Sequence, residues 1–344
     1  MADPEAADLN PVPTLSARER QIAGDRPLFG ILCLVAAGFV FSFFNAIVKH
    51  LSAEGMPVME VAWGRYVFHL VFAILYAGVA ARFEPAVAAP QVSTPSRWTQ
   101  PWRDMLRARK PGLQFLRSLL MLATTLLFFL AVSYVDLASA TAVAFVEPLV
   151  ITILSYFFLR ERVGIRRWAA VAVGFIGVLI VIRPGFGMVH LAILLPLLSA
   201  STGTSYNVLT RVVARHDGNA TSLFYAALVG CLVLSCFMPF LWQAPSFNQW
   251  LLLAALGLSG GLAHTLVIRA FSYASASVIA PFIYLQLLWA TAVGYVWFDM
   301  LPAVTTWIGG AVIIATGIYT AHRERIRALE RLAKIEAEAL SPKE

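Results

Sequence analysis

Ten apolar stretches succeed one another along the chain, at 28–50, 58–81, 114–134, 137–159, 164–183, 188–211, 220–241, 250–271, 275–298 and 303–321. A hydrocarbon core ~30 Å thick takes about 20 helical residues to cross, so each stretch reads as a membrane span. In lipid every backbone N–H must be satisfied within the protein, which leaves helices or closed barrels. The alternation of a barrel strand is absent, so the expected fold class is an all-α membrane protein of ten transmembrane helices. Composition agrees: 59% of the 344 residues are hydrophobic and 13% are charged, more apolar surface than a soluble core absorbs.

Charge sets the expected orientation. Of the 26 Lys and Arg residues, 23 fall in the amino tail, the carboxyl tail and the loops after spans 2, 4, 6 and 8; the opposite side holds two, Lys49 and Arg183, and Arg65 lies inside span 2. By the positive-inside rule both termini are cytoplasmic. The net charge of +7 is therefore a topology signal, and no nucleic-acid partner is expected. Residues 1–27 carry no apolar core with a small-residue cleavage site, so they are expected to be a disordered cytoplasmic tail and not a signal peptide. Residues 322–344 are expected to be a charged cytoplasmic tail, and "AHRERIRALERLAKIEAEAL", which mixes both signs at helical spacing, reads as a solvated or interfacial helix. Cys33, Cys231 and Cys236 lie in apolar segments, where cysteine acts as a small hydrophobe; neither a disulfide, a metal nor a cofactor is expected.

An internal repeat relates the two halves. At a shift of 139, Ser133 and Tyr134 fall on Ser272 and Tyr273, Glu147 on Gln286 and Trp168 on Trp307. At a shift of 162, Asn45 falls on Asn207 and Lys49 on Arg211. The two shifts differ by 23 residues, which the long loop between spans 2 and 3 accounts for. The expected units are residues 28–183 and 188–321, five helices each. An odd number of spans makes the second unit enter the membrane from the opposite side, so the repeat is inverted. Secondary transporters recurrently rock two such halves about a midplane site.

A charge near the bilayer centre costs at least ~2.5–3.5 kcal/mol, so polar residues inside spans mark the candidate site. Glu147 stands near the middle of span 4, before Pro148; Gln286 stands at similar depth in span 9, after Pro281. One reading makes Glu147 and Gln286 the lining of a central cavity, with Glu147 pairing a cationic group or carrying a coupling proton. The other makes Glu147 a protonated acid bonded to a neighbouring helix, with Pro148 as a local kink. Arg65 has Glu60 and His69 on its helical face. It is either an anchor for a substrate carboxylate or phosphate, or a partner of Glu60. Asn45 and Asn207, with Lys49 and Arg211 a turn further on, cap the cavity or bond between helices. Trp63, Tyr66, Tyr206, Tyr284 and Trp289 can stack on a planar substrate or simply pack. The small-residue runs Gly174–Gly177 and Gly257–Gly261 read as close helix contacts.

No HExxH, Walker, GxSxG or CxxC pattern is present, and His69 and His264 stand alone in their spans. An enzyme is not expected. A membrane-embedded lipid enzyme would need carboxylates or histidines gathered at one interface, and a scaffold would leave Glu147 unexplained.

The stretches "RYVF" in span 2, "FLRSLL" opening span 3, "ASATAVAFVEPLVITILSYFFLRERV" across span 4, "RRWAAVAVGFIGVLIVIRPG" in span 5 and "RAFSYASASVIAPFIYLQ" in the second half resemble the EamA branch of the drug/metabolite transporter superfamily. Bacterial members assigned to S-adenosylmethionine or riboflavin uptake are the most similar in the second half. The resemblance implies a multi-pass permease of the bacterial inner membrane, working by alternating access without ATP, as a monomer or homodimer. It further implies that Arg65, Arg117, Glu147 and Gln286 match recurring positions. S-adenosylmethionine-type relatives carry an acidic residue where this chain has Gln286, which favours a neutral flat substrate such as riboflavin, with S-adenosylmethionine uptake or amino-acid or metabolite efflux as alternatives.

Overall fold

A computed structural model describes residues 27–83, 106, 108–147, 149–150, 153, 165–182, 191–213, 216–217, 219–273 and 280–340. The amino tail up to residue 26, most of the loop after span 2, Pro148, residues 154–159 of span 4 and the last four residues lie outside the described residues. The described elements are helical throughout: α1 (Pro27–Ala53), α2 (Val58–Phe83), α3 (Pro111–Tyr134), α4 (Leu137–Ala144), α5 (Ile165–Ile182), α6 (Leu195–Val213), α7 (Asn219–Ser235), α8 (Phe247–Tyr273), α9 (Gln286–Phe298) and α10 (Val304–Leu340). Short 3₁₀ segments, Leu191–Leu194 and Ala280–Leu285, lead into α6 and α9.

Four helices are long and apolar enough to cross a membrane, at Leu28–Ala53, Val58–Tyr76, Pro111–Tyr134 and Phe247–Ala270. Four shorter apolar helices accompany them, Trp168–Val181, Thr221–Ser235, Phe282–Phe298 and Val304–Thr320. Large apolar side chains point outward, among them Val296, Phe175, Ile176 and Ile308. A surface of this kind is stable against lipid tails and a liability in water.

Two spans depart from a continuous helix. The regular part of α4 begins at an Asp136 cap, which accepts from the Ser139 amide at 2.8 Å, and ends at Ala144. Beyond it the ladder tightens to i−3 bonds, from the Val146 amide to Val143 O at 3.1 Å and from the Leu149 amide to Val146 O at 2.8 Å. A proline at 148 has no N–H to give the Ala144 carbonyl, which accounts for the loosened ladder there. In span 9 the 3₁₀ segment contains Pro281, and α-helical geometry starts at Gln286. At the carboxyl end span 10 and the helix expected of the charged tail form one element. α10 runs for 37 residues, about 55 Å at ~1.5 Å per residue, far past the thickness of a bilayer core.

The halves interlock. The most extensive packing joins α1 to α8, α5 to α10, α3 to α6, α2 to α8 and α2 to α7, followed by α3 with α7, α1 with α9, α4 with α9, α1 with α3, α4 with α10 and α4 with α6; α1–α3 and α4–α10 have no counterpart of like extent among the described residues. Exchanging each helix of the first five with its counterpart five places on maps α1–α8 onto α6–α3, α2–α8 onto α7–α3 and α1–α9 onto α6–α4. The pairs α2–α7, α4–α9 and α5–α10 map onto themselves. One apolar core gathers Ile47, Leu51, Tyr66, Phe129 and Leu253; a second gathers Val143, Leu149, Val178, Leu287 and Ile313.

Small residues permit this approach, as the runs of glycine suggest. A Cβ on Gly257 would sit 2.3 Å from Phe68, and one on Gly261 2.2 Å from Phe72, across the α2–α8 contact. At α5–α10 the two backbones nearly touch: a Cβ on Gly309 would lie 2.5 Å from the carbonyl oxygen of Gly177, and one on Gly177 3.0 Å from the oxygen of Gly309. Backbone atoms cannot step aside as a flexible side chain does. Gly309→Val is therefore expected to lower the thermal midpoint of the purified protein, with a cost of about 1–3 kcal/mol. Gly112→Ala, at a position where nothing lies within 4 Å, leaves the midpoint nearly unchanged. Equal midpoints for the two variants would refute the contact.

Candidate functional site

The loosened end of α4 brings Glu147 to α6, where Asn207 donates its side-chain amide to Glu147 Oε1. Glu147 keeps partial access, and Asn207 is exposed although it lies well inside α6, so the pair is open to whatever surrounds it. Gln286 begins α9 against α1, with the position of a Cβ on Gly38 3.4 Å from its own Cβ. Ser42 Oγ lies 3.5 Å from the Gln286 carbonyl, the outer limit of a hydrogen bond, and Asn45 is buried one turn further along α1.

Phe145 and Tyr284 link the two neighbourhoods. Each stands two residues before Glu147 or Gln286, and their rings meet edge-to-face, 5.1 Å between centroids at 90°. They are 139 residues apart, the same shift that relates Glu147 to Gln286. A residue that touches its own counterpart lies beside the axis relating the halves. The structure thus gathers Glu147, Asn207 and Tyr284 at one locus and puts Gln286 and Asn45 at its counterpart across that axis.

Arg117 and Lys49 bind at opposite ends of α3. Arg117 is buried and donates through Nε to Thr210 Oγ1 at 2.9 Å, through Nη1 to Gln114 Oε1 and the Ser222 carbonyl, and through Nη2 to Tyr206 Oη at 3.1 Å. Gln114 passes the network on to Asp217 at 3.0 Å. This clasp ties α3 to α6 and α7 one residue from Asn207. Lys49 donates to the carbonyls of Val132 and Val135 at 3.2 and 2.9 Å, where the end of a helix presents unsatisfied acceptors. The side chains of Arg211 and Pro281 lie outside the described residues.

Arg65 and Trp63 are not part of the Glu147 locus in any contact the described residues make. Trp63 donates to Ser235 Oγ at 2.9 Å and packs with Trp242 and Trp250. Arg65 is 4% exposed and donates to Thr125 Oγ1, which also meets Tyr66 Oη at 3.1 Å. The rings of Phe44, Tyr66 and Phe129 surround its guanidinium at 5.4, 4.7 and 5.8 Å. The Glu60 partnership weighed from the sequence is not formed: Glu60 Oε2 accepts from the Gln243 amide at 3.2 Å. Nor do the two histidines stand alone. His69 and His264 stack with centroids 6.0 Å apart and planes 12° from parallel. The repeat held a signal for this cluster, since Thr125 and His264 are themselves 139 residues apart. Tyr206 was legible only as an aromatic in a span, because its role depends on Arg117 arriving from another helix.

Comparison with known proteins gives this arrangement a family. The EamA-like transporter family matches twice, over residues 28–183 and 190–321. A riboflavin transporter of Vibrio cholerae is 30% identical over 84% of this chain and 91% of its own length. An S-adenosylmethionine uptake transporter of Rickettsia conorii is 29% identical over 65% of this chain and 76% of its own. One crystal structure of a protein 19% identical covers 88% of this chain and 98% of its own with a TM-score of 0.54, a likeness of fold alone. With its two matched halves and its apolar helices, the chain is a membrane protein of the EamA-like transporter family.

Proposed function

We propose that this transporter moves a small, flat, hydrogen-bonding metabolite of the riboflavin kind across the bacterial inner membrane, by alternating access of two inverted five-helix halves with both termini cytoplasmic. The observation that carries this reading is the join of Glu147, Asn207 and Tyr284 where regular helix lapses, matched across Phe145–Tyr284 by Gln286 and Asn45. Broken helices at mid-membrane depth free polar groups for a substrate that plain helices would keep bonded to themselves. The tyrosine and phenylalanine rings offer faces for a planar ring system, and the amides offer donors and acceptors for its edge. The exchange pattern of helix contacts supports two equivalent halves, and the repeated family match agrees with the proposed units 28–183 and 188–321.

A second reading, uptake of S-adenosylmethionine, is favoured by one specific feature. Glu147 brings a carboxylate to the site, which suits a sulfonium or amine. The amide at Gln286 weighs against it, since a single acid neutralises a single charge. The direction of transport belongs with the substrate, and the coupling ion would be read from the dependence of flux on a pH gradient or on Na⁺.

Two measurements test this. Thermal unfolding of the purified protein against riboflavin, S-adenosylmethionine, amino acids and polyamines is expected to single out riboflavin or a similar flat compound, because a ligand that binds the folded state raises the midpoint. A rise with S-adenosylmethionine alone would transfer the assignment to the second reading. In vesicles, Glu147→Gln is expected to insert normally and to reduce radiolabelled flux at least tenfold, whereas unchanged flux in Glu147→Ala would remove Glu147 from the site. Gln286→Glu adds a second acid at the counterpart position, and is expected to shift the binding preference toward cationic compounds.

A further inference from the structure

The Arg65 cluster is built differently from the proposed substrate locus, and its chemistry is incomplete. Arg65 lies in α2 inside the helix bundle, and no described carboxylate comes within ion-pairing distance of it. Three aromatic rings face the guanidinium, but an aromatic face meets a cation from above or below and supplies no acceptor in the plane of its N–H groups. Thr125 takes one of those donors, while Arg65 Nε is buried without any partner.

The same is true one turn along. His69 is fully buried, and neither Nδ1 nor Nε2 has a hydrogen-bond partner. His264 comes from the other half of the chain, stacks on His69 and is partly buried, with Phe41 edge-on at 5.4 Å. Gly260, four residues before His264 on α8, lets the Phe44 ring and the guanidinium approach that helix: a Cβ there would sit 3.1 Å from the ring and 3.9 Å from Arg65 Nε. A guanidinium without an ion-pair partner and two imidazoles thus converge between α1, α2, α3 and α8.

We infer that Arg65, His69 and His264 form a buried subsite for one monovalent anion, held by the donors that the protein leaves without partners. Such an anion accepts in-plane from Arg65 Nε and from an imidazole N–H, satisfying the donors that the protein leaves unmet and neutralising the guanidinium in a low-dielectric setting. One guanidinium balances one negative charge, whereas a dianion would need a second cation from the protein in a low-dielectric setting. The anion is a free inorganic ion such as chloride or, on the S-adenosylmethionine reading of the substrate, the carboxylate of the cargo. This subsite does not depend on the role proposed for Glu147.

The test follows the thermal midpoint of the purified protein in sodium gluconate, whose anion is too bulky for so enclosed a site, as chloride or acetate replaces it at constant ionic strength. A saturable rise is expected. It reaches half-saturation at the lower concentration with chloride for a free ion, and with acetate for a carboxylate of the cargo. Arg65→Gln abolishes the rise, and Arg65→Lys, which keeps the charge and removes Nε, weakens half-saturation at least tenfold. His69→Phe serves where Arg65→Gln fails to fold, with a weakening of at least tenfold expected. A midpoint indifferent to both anions, a saturable rise that survives Arg65→Gln, or an unchanged half-saturation in Arg65→Lys or His69→Phe overturns the subsite.

Discussion

Everything polar in this molecule answers to one constraint: inside a bilayer there is no water to complete a hydrogen bond. Hydroxyls on the spans turn back to the carbonyl one turn earlier, as Ser42 does to Gly38, Thr125 to Met121 and Thr204 to Ala200. Lys49 seeks the open end of α3, and Arg117 fills four acceptors from three helices. Such thrift makes the exceptions informative. Among the described residues, the buried side-chain atoms left without a partner are few, and Arg65 Nε and both ring nitrogens of His69 lie within one turn of each other.

The same constraint explains why the interfaces between helices are made of small residues. Apolar side chains gain nothing by leaving lipid for one another, so association rests on close packing. Gly177 against Gly309 and the glycines of α8 against Phe68 and Phe72 bring helices near enough for dispersion contacts to accumulate. Because these contacts join one half of the chain to the other, neither half has a face that would be complete by itself.

Much of the architecture was legible in the sequence because it is written in periodic and compositional terms. The apolar stretches, the glycine runs and the twofold recurrence of Glu147 and Gln286 need only hydropathy, residue size and spacing. What stayed hidden depends on which helices meet. Trp63 belongs with Trp242 and Trp250, and Glu60 with the Gln243 amide, through contacts between residues about 180 apart. His69 and His264 looked solitary because the ring each stacks on belongs to another helix, far along the chain. The helix past 321 was legible in another way: hydropathy reports where a helix leaves lipid, and the spacing of the charges beyond that point shows that it goes on.

Phe145 against Tyr284 has a mechanical consequence. When two related halves trade conformations, a contact between unlike positions in one state is replaced by its counterpart in the other. The bond from Asn207 to Glu147 would thus give way to one between Asn45 and Gln286. A contact between a residue and its own counterpart has nothing to be replaced by, since the exchange returns it to itself. In the proposed exchange of states the Phe145–Tyr284 contact would thus be shared by both, and the two halves would turn about it.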